Sequence, residues 1–122
     1  AFAKALESNS TLRKLDLEAN DMRDEGVGAI ARSLAVNRGL QELGCDSCSV
    51  TTAGGIEVAK VLRTNTTLLS LSLAGNGIET EGGQAICQAL AQENSTLTAL
   101  RLDQTGLEGD FLYGLADALR ER

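Results

Sequence analysis

The stretch Leu68-Leu69-Ser70-Leu71-Ser72-Leu73-Ala74-Gly75-Asn76 decides the fold. Leu71 and Leu73 alternate with Ser70, Ser72 and Ala74 at period two, as a short strand with one buried face does. The same spacing of leucines, closed by a polar or sulfur-bearing residue, recurs on both sides. It reads Leu12, Leu15, Leu17, Asn20 upstream, then Leu40, Leu43, Cys45, Cys48, and downstream Leu97, Leu100, Leu102, Thr105. The first leucines are separated by 28, 28 and 29 residues, with the extra residue between Leu90 and Asn94. A fixed period of this size marks stacked supersecondary units that bury their apolar faces against one another.

Between the leucine blocks the apolar period changes. Ile30-Ala31 with Leu34, Val58-Ala59 with Leu62, and Ile86-Cys87 with Leu90 repeat at i, i+1, i+4, which is one face of a helix. Phe2 with Leu6, and Leu115 with Leu119, keep the same phase, and Met22, Val50, Ile78 and Leu107 follow each turn. Each unit therefore reads as strand, loop, helix, and successive strands joined through helices run parallel. Asn9, Asn37, Asn65 and Asn94 precede each first leucine, where a left-handed asparagine is expected to end the helix. Asn9-Ser10-Thr11, Asn65-Thr66-Thr67 and Asn94-Ser95-Thr96 also spell glycosylation sequons, but their shared phase points to turn chemistry. Gly26, Gly54 and Gly82 share one phase near the helix starts, where neighbouring coils are expected to approach closely, and Phe111 takes that place in the last unit, as in an atypical terminal repeat.

The three aromatic residues, Phe2, Phe111 and Tyr113, leave the core to Leu, Ile, Val and Ala, which suits regular stacked layers. The net charge of −6, with Lys and Arg scattered, argues against a nucleic-acid role. An acidic balance fits a basic protein partner or plain solubility. No apolar run reaches the roughly 18 residues of a membrane span, so no membrane role is expected. Three cysteines make no disulfide framework, and a reducing, cytoplasmic setting is the expectation.

With its 28- and 29-residue units and its sequence of Asn20, Cys48, Asn76 and Thr105, the chain resembles leucine-rich repeats of the ribonuclease-inhibitor type. Thr105 departs from the alternation of Asn-type and Cys-type units. The resemblance covers nearly all of the chain. It implies an α/β solenoid, a right-handed horseshoe with a parallel β-sheet on the concave side and helices on the convex side. The expected organisation is a single leucine-rich-repeat domain over 1–122. It holds a partial repeat helix at 1–11 and repeats at 12–39, 40–67, 68–96 and 97–122. Phe2, Ala3 and Leu6 form half a unit without its strand, so the chain is expected to be a piece of a larger protein, next to further repeats or domains.

Phasing against the lattice removes the candidates for chemistry. Cys45-x-x-Cys48 resembles a redox or zinc motif, yet Cys45 stands where Leu17 and Leu73 do and Cys48 where Asn20 and Asn76 do, so both point inward. A zinc site would need further ligands, and the chain has no histidine. The lack of histidine also removes the usual triads and the commonest general base, so no enzyme and no cofactor are expected. Asp21, Asp24 and Glu25, then Glu79 and Glu81, then Glu108 and Asp110 precede helices, where acidic residues complement the helix dipole.

The exposed strand positions remain. They align as Lys14, Glu42, Ser70 and Ala99; then Asp16, Gly44, Ser72 and Arg101; then a largely acidic column of Glu18, Asp46, Ala74 and Asp103. Arg101 and the nearby Arg13 are the only anchor-type side chains of this face. The expected function is a non-enzymatic protein-interaction scaffold binding a partner, basic if charge complementarity governs, through Lys14, Asp16, Glu18, Glu42, Asp46, Ser70, Ser72, Arg101 and Asp103. The family resemblance leaves a second reading open, a GTPase regulator similar to the Ran GTPase-activating proteins. Its members also include NOD-like receptors, ribonuclease inhibitor and proteins of cilia and the actin cytoskeleton.

Overall fold

A computed structural model describes residues 2–94 and 96–106. The element order is α1 (Phe2–Ser8), β1 (Lys14–Asp16), α2 (Arg23–Ser33), β2 (Glu42–Gly44), α3 (Thr52–Leu62), β3 (Ser70–Ser72), α4 (Glu79–Gln92) and β4 (Ala99–Arg101). The expectations for Leu107, Glu108, Asp110, Phe111, Leu115, Leu119, the sequon residue Ser95 and the end of repeat 97–122 lie outside the described residues.

The strands form one parallel sheet in the order β1-β2-β3-β4. Its register is the repeat lattice itself: Leu15, Leu43, Leu71 and Leu100 stand in line, as do Lys14, Glu42, Ser70 and Ala99. The ladder continues past the strand ends through Leu17 N to Gly44 O and Leu73 N to Arg101 O. Helices α1 to α4 pack in sequence order on the opposite side, and the core between the two layers is almost wholly aliphatic. Leu40, Leu68, Leu73, Ile78, Ile86 and Leu97 are fully buried.

The turn after each strand is held by its lattice residue. Asn76 is buried; its Oδ1 accepts the Cys48 and Val50 amides at 2.9 and 3.1 Å, and its Nδ2 donates to Cys45 O at 2.8 Å and Leu73 O at 2.9 Å. One carboxamide thus satisfies backbone groups of two coils at once, which a hydroxyl or thiol does only in part. The Cys48 thiol donates to Leu17 O at 3.1 Å in the preceding coil, and the Thr105 hydroxyl donates to Leu102 O at 2.6 Å in its own.

The asparagines before each first leucine work differently from expectation. None of them has a positive φ; the left-handed non-glycine residues are Ala19, Arg23, Ser47, Ser49, Glu79 and Gln104. Each asparagine instead folds its Oδ1 onto the amides two and three residues ahead, as Asn37 does with Gly39 and Leu40 at 2.9 and 2.8 Å. Its Nδ2 reaches back one coil: Asn37 to Leu6 O and Asn9 O, Asn65 to Leu34 O, and Asn94 to Leu62 O and Asn65 O. This second asparagine ladder occupies the carboxamides of Asn65 and Asn94, both buried, so they are no acceptors for a glycan. Turn chemistry explains these sequons, through hydrogen bonds between coils and without a left-handed backbone.

The glycine phase also has mixed causes. A Cβ at Gly54 would lie 2.4 Å from Val50 Cγ1 and 2.5 Å from Asp24 Oδ1, so there the preceding coil does demand glycine. At Gly82 the obstacle is its own Ile78, at 2.7 Å, and at Gly26 it is Met22, at 3.1 Å. Close approach of coils accounts for one of the three positions.

Candidate functional site: the concave sheet

Three-residue strands in strict register present only their outward side chains to the concave surface, so the site is built from columns one residue wide. Lys14, Glu42 and Ser70 make the first, beside Asp16, Gly44, Ser72 and Arg101. Glu18, Asp46 and Asp103 lie one step beyond the strands. All nine expected residues therefore fall on one face. A shallow depression of about 270 Å³ lies on it, with Asp16, Glu18, Gly44, Asp46, Ser72 and Arg101 among its lining residues. The Asp16 carboxylate lies against Gly44, with Oδ1 3.0 Å from where a Cβ would stand.

The acidic residues differ in what they are free to do. Asp46 is half-buried; its Oδ1 accepts the Ala74 amide at 3.0 Å and a short hydrogen bond from the Ser72 hydroxyl. Asp46 and Ser72 are thus committed to joining two coils, and the free column of three acids reduces to Glu18 and Asp103. Asp103 is in turn paired with Arg101 at 2.9 Å, both side chains 64% exposed. That hydrogen bond, with the nearby negative charges of Asp46 and Glu18, holds the Arg101 guanidinium above its ordinary pKa. Asp16 is exposed and accepts the Glu18 amide at 3.0 Å. Lys14 and Glu42 are exposed side by side. Arg13, an expected edge anchor, donates to Ser10 O and Gly39 O at 2.9 and 3.1 Å and so braces the asparagine turns.

The cysteines lie beneath this face. Cys45 is fully buried, and burial first, then the negative charges around it, push its thiol up to about 12. Burial also raises Cys48 and Cys87. A thiol so protonated is a poor nucleophile and metal ligand. Among the described residues no group of three or more Cys, Asp or Glu side chains is arranged to hold a metal ion. No described helix is long and apolar enough to cross a membrane.

Asp24 plays a part that the dipole argument did not anticipate. Its carboxylate caps α3 in the following coil, accepting the Thr51 amide at 2.7 Å, the Gly54 amide at 3.1 Å and the Thr51 hydroxyl. Partial burial raises this carboxyl, but the three hydrogen bonds outweigh it and the net shift is downward. The available signal was the spacing of Asp24 to Thr51, one residue short of a full repeat. Asp21 pairs with Arg23 at 3.0 Å on the surface, and that hydrogen bond lowers its carboxyl.

Comparison with known proteins agrees with this architecture. Residues 8–31 and 64–87 match the leucine-rich repeat family model. The structure superposes on that of leiomodin-1 actin-binding site 2 with a TM-score of 0.89 and 25% identity, covering 98% of this chain and 68% of that one. It also superposes on the tropomodulin C-terminal domain of Caenorhabditis elegans with a TM-score of 0.60 and 9% identity, covering 98% of this chain and 92% of that one. The second likeness speaks for the fold alone. No curated protein matches the chain. Repeating leucine blocks, a parallel sheet in lattice register and these matches together make the chain a leucine-rich repeat protein.

Proposed function

We propose that this chain is a non-enzymatic protein-interaction scaffold that receives its partner on the concave sheet and the loops beside it. The observation that carries the reading is the register: the parallel pairing of β1 with β2 sets Lys14, Asp16 and Glu42 as exposed charges on a single surface, with Glu18 exposed just beyond. A preorganised surface of this kind binds without ordering cost in its own loops. The excess of carboxylates there suits a partner segment bearing Lys or Arg. Actin is the first partner to test, because the leiomodin-1 structure that is 25% identical over 98% of this chain is an actin-binding site.

The test is cosedimentation with filamentous actin and titration of monomeric actin. The intact chain is set against a triple charge reversal, Glu18→Lys, Glu42→Lys and Asp103→Lys. Asp46 is left alone because it joins two coils. An affinity loss of roughly tenfold or more supports the concave site, since exposed interface charges act mainly through association. Equal affinity of the two chains moves the contact to the helical side or an end. If neither form of actin binds, actin is removed as partner, and the same pair of chains serves affinity capture from a native extract. Flat GTP hydrolysis across small GTPases is expected on addition of the chain, and stimulation of any one would favour the regulator reading instead.

A further inference from the structure

We propose that the groove between the C-terminal ends of α2 and α3, on the helical side of the solenoid, is a docking site for an acidic protein segment, one that brings an apolar side chain flanked by carboxylates. The groove holds about 330 Å³, more than the depression of about 270 Å³ on the concave sheet, and is lined by Arg32, Ala35, Glu57, Lys60, Val61 and Thr64. Ala35 is exposed, and Val36, next to it in the chain, is 58% exposed. Thr64, the one uncharged polar side chain of the lining, gives its hydroxyl to Val61 O at 3.3 Å. An incoming side chain therefore meets aliphatic surface, with charge only at Arg32, Glu57 and Lys60.

Those charges do not balance. Lys60 Nζ lies 3.1 Å from Glu57 Oε1, and Arg32 Nη1 lies 3.8 Å from Oε2 of the same carboxylate. Arg38 adds a third cation, its guanidinium held at the groove by donating to Ala35 O at 3.0 Å and Asn37 O at 3.2 Å. One carboxylate thus answers three cations, in a molecule whose net charge is −6. The side chains of Arg32 and Lys60 are 64% and 63% exposed, and exposed ion pairs contribute little, so both cations can take a second carboxylate at small cost. Gly28 leaves room for Arg32: a Cβ there would lie 3.2 Å from Nη1.

Cations in a last helical turn also complement the helix dipole, and Arg32 and Lys60 stand in such turns. That role does not account for the cluster. The longest of the described helices, α4, carries no basic residue in its last turn, and Arg38 lies beyond the end of α2. The cations gather where α2 and α3 border the groove, and their charge selects the occupant. The concave sheet, with its excess of carboxylates, suits a basic segment; this groove suits the opposite, so the two surfaces serve different partners. A nucleic acid fits less well, because phosphate binding needs a basic stripe and the chain as a whole is acidic.

The experiment titrates the isotope-labelled chain with the capped peptide Glu-Glu-Leu-Glu-Glu, beside Gln-Gln-Leu-Gln-Gln and Glu-Glu-Ser-Glu-Glu, in about 0.15 M salt, where distant charges are screened. Shifts are expected at the Arg32, Ala35, Lys60 and Thr64 amides, with either control binding roughly fivefold or more weakly. Arg32→Glu with Lys60→Glu is expected to lower the affinity roughly tenfold or more. Glu57→Gln is the sharper variant. It removes the competing carboxylate and is expected to raise the affinity about threefold, which a merely structural role of the ion pairs would not do. The triple reversal Glu18→Lys, Glu42→Lys and Asp103→Lys is expected to leave this affinity unchanged, so the groove and the concave site stand or fall separately. Equal affinity for the three peptides, shifts that miss these amides, or unchanged or weaker binding by Glu57→Gln would overturn the proposal. So would displacement of the peptide by a single-stranded oligonucleotide, which assigns the cations to a nucleic acid. Concentration-dependent shifts of the same amides without peptide would overturn it by assigning the groove to a second copy.

Discussion

Asn20 and Asn76 occupy the same lattice position two coils apart, and they show what stacking does to one residue type. Asn76 is buried and binds backbone groups of its own coil and the one before; Asn20 is exposed and serves only its own turn. The difference is positional, since the local sequence around both is a leucine block closing in a turn. A repeat residue acquires its energetic weight from the neighbour it faces, so equal letters contribute unequally along the array.

The largest test of that comparison is Asn76→Ala against Asn20→Ala. The first strands two amides and two carbonyls, at roughly 1–3 kcal/mol each before relaxation, and a net loss of about 4 kcal/mol is expected. The second is expected to cost under about 1 kcal/mol, because water reaches the groups it leaves. Urea denaturation of both variants measures this, and comparable losses would break the comparison.

The aliphatic lattice extends it. Leu71 is buried at 1% exposure while Leu15, its register partner two strands away, is half-buried. Leu71→Ala is expected to cost about 3 kcal/mol and Leu15→Ala about half as much, since the cavity term applies only where the surroundings close over the site. Thermal unfolding of the pair gives the ratio, and a ratio near one would show that the end coil is as tightly enclosed as the interior.

Glycine sharpens it further. Gly54→Ala forces a methyl into Val50 and the Asp24 carboxylate and is expected to destabilise by about 2 kcal/mol. Gly26→Ala meets only the side chain of Met22, with Cβ at 3.1 Å and Cε at 3.3 Å, a milder contact that the better helix propensity of alanine offsets to within about 0.5 kcal/mol. Chemical denaturation of the two variants is the check, and a large loss at Gly26 would mean that Met22 is held rigidly.

The smallest effect probes the seam between the end coil and the interior, where Asp24 caps α3. Its folded-state carboxyl is depressed, so the stabilisation is complete above the unfolded value of about 3.9 and is lost as pH falls through the lower folded value. A cap of this kind contributes about 1 kcal/mol. Asp24→Asn is expected to cost that much at pH 7, with the gap to the parent chain closing at low pH. A gap independent of pH would show that the carboxylate charge contributes nothing to the cap.

Much of the molecule was legible from spacing. The 28-residue phase places every described strand, predicts the sheet register residue by residue, and turns Cys45-x-x-Cys48 from a candidate metal site into core. The candidate surface was legible to the level of which residues share a face. Their availability was not: Asp46 and Glu18 look alike in sequence, and only the Ser72 hydroxyl and Ala74 amide distinguish them. Nor does spacing within one unit show that Asp24 caps the next helix or that Asn37, Asn65 and Asn94 reach back a coil.

The sequence by itself determined the repeat, its period, the parallel strand order and the inward set of leucines, because periodicity is a one-dimensional property that survives without coordinates. The tertiary structure alone decided which polar side chains are spent between coils and which face outward. Those bonds link residues 26 to 32 positions apart, and their formation depends on distances and angles that only the stacked coils bring within reach.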